Sequence, residues 1–187
     1  MMLETISNNF YSIIDPPNKD EILLNAEISK LTEDQEFSWA DYCSIKVERL
    51  DLQEKFFPLF APSLNIFFNE LNLDANDLGI YCDEIWRNTY TRNFYQEIHN
   101  HSPLHLSGVL FLNDEQEGDG RFFFFNRDYS EVSKEWRHIG LLSDRKYIKA
   151  ERGKILLFPS YMLHGVTIHK SDNIRKTLAF NLLFSTV

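Results

Sequence analysis

The chain has 187 residues, of which 43% are hydrophobic and 25% are charged, a composition typical of one globular domain with a substantial core. Its net charge of −9 argues against a protein that binds nucleic acid by neutralising phosphates. Aromatic residues make up 14% of the chain and include 16 Phe, which excludes an intrinsically disordered protein. We therefore predict a single domain over residues 1–187.

The acidic residues are concentrated in the N-terminal half of the chain. Residues 1–98 contain seven basic and 18 acidic residues, a net charge of −11. Residues 99–187 contain 12 basic and 10 acidic residues, a net charge of +2, together with all six His. The second half can therefore accept a small anion although the whole protein is acidic.

The sequence contains no recognisable targeting or membrane segment. The first twenty residues lack a basic region followed by an apolar one, and no apolar run approaches the roughly 18 residues that span a membrane. The two cysteines, Cys43 and Cys82, have neither a metal-binding nor a disulfide-framework spacing, which favours reduced thiols. We expect a cytoplasmic protein.

Residues 1–78 are predicted to form supporting helices with one or two strands. Residues 19–31 follow two prolines and place Ile22, Leu23, Ala26 and Leu31 at helical spacing, which predicts a short amphipathic helix. Residues 53–72 carry a Phe-rich apolar stripe interrupted by Pro58 and Pro62. This pattern predicts a bent helix or two short ones, with the Phe side chains in the core.

Residues 79–187 are predicted to form about eight short β-strands. Segments rich in β-branched and aromatic residues alternate with turn residues, and six of the seven glycines lie after residue 100. These features are typical of a β-sandwich, and a double-sheet jelly roll fits the strand count. Residues 127–145, which include Trp136 and His138, show neither the helical nor the strand periodicity of apolar residues. They are predicted to be an insertion, either a lid over a site or a surface loop.

Two histidines at alternate positions form the first candidate site. On a strand, His99 and His101 share a face about 6.6 Å apart and can bind one metal ion. Glu97 shares that face but lies about 13 Å from residue 101, which makes it a weaker ligand candidate. His164 follows an apolar strand and a turn, and it can either join the pair or serve a structural role.

Arg175, near the C-terminal end of the chain, is a further candidate site residue. Alternation on the strand that begins at Arg175 places Arg175, Thr177 and Ala179 on one face. An Arg on the inner face beside a metal suits a bound carboxylate, because its planar fork holds both oxygens. The alternative is a surface Arg on an edge strand.

These segments together resemble the iron(II)- and 2-oxoglutarate-dependent oxygenases, in particular a branch common in marine bacteria and phages. The matching motifs are Trp86-x-Asn88-x-Tyr90, His99-x-His101, Ser107-Gly108-Val109, Phe158-Pro159-Ser160, His164-Gly165-Val166, Arg175-x-Thr177 and Phe180-Asn181. Their order and spacing agree with the family over roughly residues 80–185. Small departures are Ser102-Pro103, where the family places Pro directly after the His pair, Leu110-Phe111 in place of an aromatic pair, and Thr177 in place of Ser.

The resemblance implies a mainly β double-stranded β-helix (jelly roll) with N-terminal helices. It implies Fe(II) held by His99, His101 and His164, three imidazoles where most of the superfamily has two His and one carboxylate. It also implies a 2-oxoglutarate pocket that contains Arg175 and Thr177, with Tyr90 or Asn88 assisting. The implied reaction is hydroxylation of a substrate by O2, with decarboxylation of 2-oxoglutarate to succinate.

Two other functions remain open on the sequence. One is a cupin-like dioxygenase with three His ligands that does not use 2-oxoglutarate, and the other is a jelly-roll protein without catalytic activity. The remaining histidines of the strand region are expected to lie outside the site. His105 has no matching ligand position in the family, and His169 is predicted to lie in a solvated turn.

Overall fold

The computed structural model describes residues 9–28, 33–39, 43–49, 53–140 and 142–186. Its three helices are α1 (Lys19–Ile28), α2 (Gln53–Glu70) and α3 (Lys134–Ile139). Its eleven strands are β1 (Ser12–Ile14), β2 (Glu33–Trp39), β3 (Cys43–Arg49), β4 (Leu78–Tyr90), β5 (Tyr95–His99), β6 (Leu106–Phe111), β7 (Phe122–Phe125), β8 (Arg145–Ile148), β9 (Ile155–Pro159), β10 (His164–Val166) and β11 (Arg175–Thr186). The predicted eight strands after residue 79 correspond to β4 to β11.

The strands form two antiparallel layers that meet at β3. The hydrogen-bonded order is β1-β9-β6-β11-β4-β3-β5-β10-β7-β8, and β2 pairs with β3. The C-terminal end of β3 pairs with β4 and its first two residues pair with β5, so β3 joins the layers. The larger layer therefore contains β1, β9, β6, β11 and β4, and the smaller one contains β5, β10, β7 and β8. This arrangement confirms the predicted jelly roll.

Apolar side chains fill the space between the two layers. Phe122 and Phe124 of β7 contact Phe158 of β9, with ring centroids 5.8 and 5.0 Å apart. Val109 of β6 and Ala179 of β11 belong to the same buried cluster. Because side chains alternate along a strand, the neighbouring residues of β6 and β11 face the opposite side of the larger layer.

The N-terminal helices cover that opposite side. Ile22, Leu23 and Ala26 are the buried residues of α1. Phe60 of α2 stacks on Phe180 of β11, with ring centroids 4.4 Å apart. The helices therefore support the strands that carry the candidate site.

The strand count predicted for this N-terminal part needs correction. The structure has three strands before residue 78, not one or two, because the polar segment Glu33–Trp39 pairs with β3 along its whole length. The helix α2 runs unbroken across Pro58 and Pro62, so of the two predicted forms, a bent helix or two short helices, a single helix is observed. Packing of its apolar stripe on the sheet stabilises the helix against the loss of backbone hydrogen bonds at the prolines. Leu31 lies outside the described residues.

Among the described residues, no helix is both long and apolar enough to cross a lipid bilayer.

Candidate metal centre and anion pocket

Three histidines converge at one end of the space between the layers. His99 of β5 and His164 of β10 are directly paired across the two strands, and their ring centroids lie 4.4 Å apart. The His101 ring lies 5.2 Å from the His99 ring and 5.1 Å from the His164 ring. One possible ligand atom from each histidine lies within 4.8 Å of the others. This is close enough for the three imidazoles to bind one ion with small side-chain adjustments.

The third histidine does not lie on the strand that the sequence predicted for it. Strand β5 ends at His99, so His101 lies in the following turn. Its backbone N–H donates to the Ser160 carbonyl at 2.9 Å. The turn brings the His101 ring toward the other two, and the spacing expected from an ideal strand does not apply.

Backbone carbonyls fix the tautomer of two of the rings. His99 Nδ1 lies 2.7 Å from the Glu97 carbonyl oxygen, and His164 Nδ1 lies 2.9 Å from the Met162 carbonyl oxygen. A carbonyl only accepts hydrogen bonds, so each Nδ1 carries the proton and each Nε2 keeps its lone pair. This is the usual way in which proteins orient histidine ligands toward a metal.

Burial holds all three imidazoles in the neutral form. Desolvation lowers the pKa of His99. Desolvation, followed by repulsion from His99, lowers the pKa of His101 to about 4. The pKa of His164 falls well below its ordinary value for the same reasons, with His101 adding to the repulsion. Neutral imidazole is the form that binds metals, so a metal ion does not have to displace protons here at neutral pH.

Aromatic side chains surround the most deeply buried of the three histidines. The His164 side chain is 4% exposed, and its ring lies 5.4 Å from the Phe122 ring and 4.9 Å from the Phe158 ring. Trp86 lies on the other side of the site, 5.7 Å from the His101 ring. These apolar walls limit water access and lower the local dielectric constant.

The anion pocket is assembled by the pairing of β4 with β11. The register places Arg175 opposite Tyr90, Thr177 opposite Asn88 and Ala179 opposite Trp86. Because each partner set lies at alternate positions, all six residues point to the same side of the layer. One antiparallel strand pair therefore brings together the motif at residues 86–90 and the motif at residues 175–179, which are far apart along the chain.

Arg175 is a buried cation with an unused hydrogen-bond donor. The residue is 4% exposed, and its guanidinium carbon lies 4.7 Å from the centre of the Tyr90 ring. Its Nη1 has no hydrogen-bond partner among the residues that the structure describes. A buried donor without a partner is costly, so this guanidinium fits an anionic ligand group.

Asn88 presents a second polar atom to the same space. Its Nδ2 donates to Thr177 Oγ1 at 3.4 Å, while its buried Oδ1 has no hydrogen-bond partner within the described part of the chain. The Tyr90 hydroxyl donates to the Gln96 side-chain carbonyl. Tyr90 therefore contributes its ring face to Arg175 and its hydroxyl to β5.

One cavity connects the histidines with the anion pocket. Its lining contains the three histidines together with Asn88, Tyr90, Arg175 and Thr177. The predicted ligand set and the predicted anion set therefore share one space. The chemistry of this lining suits a metal ion at the histidines and an anionic group at Arg175.

The comparison with protein families decides the relationship. Residues 84–181, just over half of the chain, match the family described as "Putative 2OG-Fe(II) oxygenase". The chain belongs to the 2OG-Fe(II) oxygenase family. This confirms the resemblance drawn from the motifs. A search of curated protein sequences found no significant match.

Solved structures show that the oxygenase fold extends over nearly the whole chain. A 2OG-Fe(II) oxygenase family oxidoreductase from Burkholderia pseudomallei has a TM-score of 0.67 at 12% identity, covering 92% of this chain and 84% of that one. A prolyl-4-hydroxylase from Pseudomonas putida has a TM-score of 0.58 at 14% identity, covering 93% and 92%. HygX from Streptomyces hygroscopicus, solved with nickel and 2-oxoglutarate bound, has a TM-score of 0.57 at 14% identity, covering 93% and 82%.

The other histidines and Glu97 of this oxygenase-family chain lie outside the three-histidine cluster. The Glu97 side chain is exposed, and the residue contributes its carbonyl to His99. His105 is also exposed, and its Nδ1 accepts from the Phe184 N–H at 2.8 Å.

The prediction of a solvated His169 is wrong. This side chain is 0% exposed. Its Nδ1 accepts from the Gly120 N–H at 3.1 Å, and its Nε2 donates to the Asn173 carbonyl at 2.7 Å. The sequence of the turn is polar, and its burial arises from the packing of residues 167–173 on a loop about fifty positions earlier in the chain.

The insertion starts at the end of the molecule where the three histidines lie. A 3₁₀ turn covers Arg127–Glu131 and is followed by α3, none of whose residues is buried. A wide groove lies beside the histidines, lined by Asn9, Asn100, Ser102, Phe125, Arg127, Asp128, Tyr161, Met162 and Leu163. Its walls include the neighbours of His101 and His164 in sequence. Arg127 and Asp128 belong to the predicted insertion. The other lining residues carry no sequence signal, because the groove is formed by four segments that are far apart along the chain.

Proposed function

We propose that this protein is an Fe(II)- and 2-oxoglutarate-dependent dioxygenase that hydroxylates a C–H bond. The reaction consumes the substrate R–H, 2-oxoglutarate and O2, and yields R–OH, succinate and CO2. The observation that supports it is the shared cavity, in which three neutral histidines face a buried Arg with an unused donor.

His99 and His164 would hold the iron through their Nε2 atoms, and His101 would hold it through one of its ring nitrogens. Iron, when bound, supplies the activation of O2 that a protein side chain cannot supply. The carbonyls of Glu97 and Met162 fix the direction of the lone pairs of His99 and His164. The aromatic walls at Phe122 and Phe158 exclude water from the same space, which protects reactive species from side reactions.

The charge of the ligand set favours a dianionic co-substrate. Three neutral imidazoles leave the charge of a divalent ion uncompensated, whereas two histidines and a carboxylate would remove one unit. Arg175 adds a further positive charge in the same cavity and would bind the carboxylate of 2-oxoglutarate that is remote from the reacting carbons. The Thr177 hydroxyl and Asn88 lie beside it and would complete the binding of that carboxylate.

The groove beside the histidines is the proposed entrance for the primary substrate. It contains both charged and amide side chains, and Tyr161 is 47% exposed within it. We propose the insertion at residues 127–145 as the lid over this groove, with Trp136 exposed to 54% on α3. The described N-terminal helices and the jelly roll are proposed to act as one domain, since α2 packs directly on β11.

The experiment is a succinate assay on purified protein supplied with Fe(II), 2-oxoglutarate, ascorbate and O2. We expect slow succinate formation even without a primary substrate, and its loss in His164→Ala. His105→Ala is the matched control, because this histidine is exposed and lies outside the cluster. A wild-type protein that binds Fe(II) and 2-oxoglutarate but forms no succinate would contradict the proposal.

The cupin-like alternative is tested by Arg175→Ala. A dioxygenase that does not use 2-oxoglutarate would retain its O2 consumption in this variant and would not require 2-oxoglutarate. A jelly-roll protein without catalytic activity would show neither succinate formation nor O2 consumption in any variant. The buried, unpartnered Nη1 of Arg175 favours the first proposal.

A further inference from the structure

Three polar motif residues have no role in the proposed chemistry, yet the structure brings them together. Ser107, Ser160 and Asn181 come from the Ser-Gly-Val, Phe-Pro-Ser and Phe-Asn motifs. They lie on β6, immediately after β9 and on β11, which are adjacent strands of the larger layer. Their exposed fractions are 2%, 0% and 0%. Buried polar groups of this kind are stable only when they are hydrogen-bonded.

Their side chains form one directional hydrogen-bond chain. Ser107 Oγ donates to Asn181 Oδ1 at 2.7 Å. Because this bond uses the single hydroxyl proton of Ser107, Ser160 is the donor in the 2.9 Å bond between the two serine hydroxyls. Asn181 Nδ2 donates onward to Glu84 Oε1 at 3.4 Å. The chain therefore runs from Ser160 to a carboxylate, and each bond polarises the next one.

The backbone of Ser160 holds the turn that carries the third histidine. Its carbonyl accepts from the His101 N–H at 2.9 Å, and its N–H donates to the His105 carbonyl at 3.1 Å. These two bonds fasten both ends of residues 101–105. The position of Ser160 therefore sets the position of His101.

The other two histidines are fixed in a different way. His99 and His164 face each other within the β5–β10 pair, so strand pairing holds their backbones. His101 lies beyond the last residue of β5 and depends on the contact with Ser160. A disturbance at Ser160 would therefore act on one of the three histidines first.

We propose that Ser160 is a positioning residue for His101, locked in place by its hydrogen bond to Ser107 and through it by Asn181. The inference rests on the proposed metal centre and adds to it residues that would act through the backbone of His101 and not as ligands. Removing the Ser160 hydroxyl breaks its hydrogen bond to Ser107 and leaves the Ser160 backbone less firmly held. The His101 ring then samples more positions, and the metal site loses affinity through its third ligand.

Ser160→Ala is the test variant, and Ser63→Ala is its matched control. Ser63 is 1% exposed on α2, and its hydroxyl has no hydrogen-bond partner among the described residues. Both substitutions remove one buried hydroxyl, but only Ser160 belongs to the hydrogen-bonded set that contains Ser107 and Asn181. Ser107→Ala is a second test variant that breaks the same chain one step further from His101.

The first measurement is amide hydrogen exchange in metal-free protein. We expect the His101 amide to exchange at least about tenfold faster in Ser160→Ala, relative to the Leu157 amide within β9, because its hydrogen bond opens locally. Ser63→Ala should leave this ratio unchanged. An unchanged ratio in both Ser160→Ala and Ser107→Ala would overturn the inference.

The second measurement is Co(II) titration of the full-length protein. We expect Ser160→Ala to raise the Kd about tenfold, as loss of a residue that orients a ligand typically does, and Ser63→Ala to leave it unchanged. In a His101→Ala background the same substitution should change the Kd less than about twofold. An equal effect in both backgrounds would show that Ser160 does not act through His101.

The two measurements separate the failure of the inference from failure of the proposed function. If His101→Ala by itself leaves the Co(II) Kd unchanged, the proposed metal centre is wrong. If His101→Ala weakens binding and Ser160→Ala does not, the metal centre stands and the positioning role is wrong. Two results together support both the metal centre and the positioning role. In Ser160→Ala the His101 amide exchanges faster, and the substitution weakens Co(II) binding only in protein that retains His101.

Discussion

Arg175, the proposed partner of the co-substrate carboxylate, is held in a fixed orientation by its neighbours. The Tyr90 ring covers one face of its guanidinium, and strand pairing fixes its backbone opposite the same residue. The fork is therefore oriented before any ligand arrives, and little side-chain entropy remains to be lost on binding. An ammonium group at this position would retain the charge and lose the planar geometry.

Arg175→Lys is expected to raise the KM for 2-oxoglutarate about 10- to 100-fold, because the bidentate contact to a carboxylate is lost while the charge remains. Succinate formation at varied 2-oxoglutarate concentration measures the effect. Arg92→Lys is the control, since Arg92 is an exposed residue paired with Asp172 at 2.8 Å. A KM within twofold of the wild type in Arg175→Lys would contradict the assigned role.

Local sequence patterns predicted the residues of the cavity better than the residues around it. His99, His101 and Arg175 belong to motifs whose order is visible along the chain. The burial of His169 depends on contacts with Gly120 and Asn173, and no pattern near residue 169 indicates a partner about fifty positions away. Ser107 and Ser160 belong to recognised sequence motifs, but their hydrogen bond arises because β6 and β9 are adjacent in the sheet, which the motifs do not indicate.

At the scale of elements, β6 and β11 meet at a place where only glycine fits. A Cβ atom at Gly108 would overlap the Phe180 ring, and that ring stacks on Phe60 of α2. Because Gly108 has no side chain, the Phe180 ring can lie over β6 and still contact Phe60 of α2. The glycine of the Ser-Gly-Val motif therefore leaves room for the aromatic ring on which α2 packs.

Gly108→Ala is expected to lower the free energy of unfolding by about 1–3 kcal/mol, the usual cost of an extra methyl group in a filled core. Urea denaturation measures it. The double variant Gly108→Ala/Phe180→Leu should recover part of the loss, because the smaller side chain makes room for the methyl group. A double variant no more stable than Gly108→Ala would show that the overlap is not the cause.

The elements themselves differed in how far the sequence could predict them. The strands from β4 onward have apolar residues bounded by turns, and their number was predicted correctly. The segment Glu33–Trp39 has mostly polar residues, so only its pairing with β3 identifies it as a strand. Pro58 and Pro62 indicated a break in α2 that packing against the sheet overrides.

At the scale of the whole molecule, the buried histidines link protonation to folding. Their pKa values are lowered in the folded state, so the folded protein rejects protons that an unfolded histidine accepts below about pH 6.5. The unfolded state therefore binds more protons as the pH falls. Stability present above pH 6.5 is lost on acidification, down to the region near pH 4 where folded His101 itself takes a proton.

Metal-free protein is expected to lose unfolding free energy between about pH 6.5 and 4, by up to about 1.4 kcal/mol per pH unit for each histidine involved. Urea denaturation in EDTA at a series of pH values measures the slope. His101→Asn should show a shallower slope than the wild type, because one of the titrating groups is gone. Equal slopes for the two proteins would refute the linkage.

Ligands should stabilise the molecule in a set order. A ligand that binds only the folded state adds about 2.7 kcal/mol at one hundred times its Kd, which corresponds to roughly 5–10 °C in Tm for a domain of this size. We expect Co(II) to raise the Tm and 2-oxoglutarate to raise it further only when Co(II) is present. Thermal unfolding measures both, and EDTA should reverse both. Stabilisation by 2-oxoglutarate in EDTA alone would indicate a binding site independent of the metal.

The placement of the three histidines separates the parts of the site that can change from those that cannot. His99 and His164 are held by a strand pair, and any shift there would disturb the register of the smaller layer. His101 lies in a turn, where the backbone tolerates sequence change more readily. An exchange of imidazole for carboxylate at position 101 would change the charge of the proposed metal centre by one unit at a position outside the strands. Of the three proposed ligands, His101 is therefore the one whose replacement would touch no strand pair.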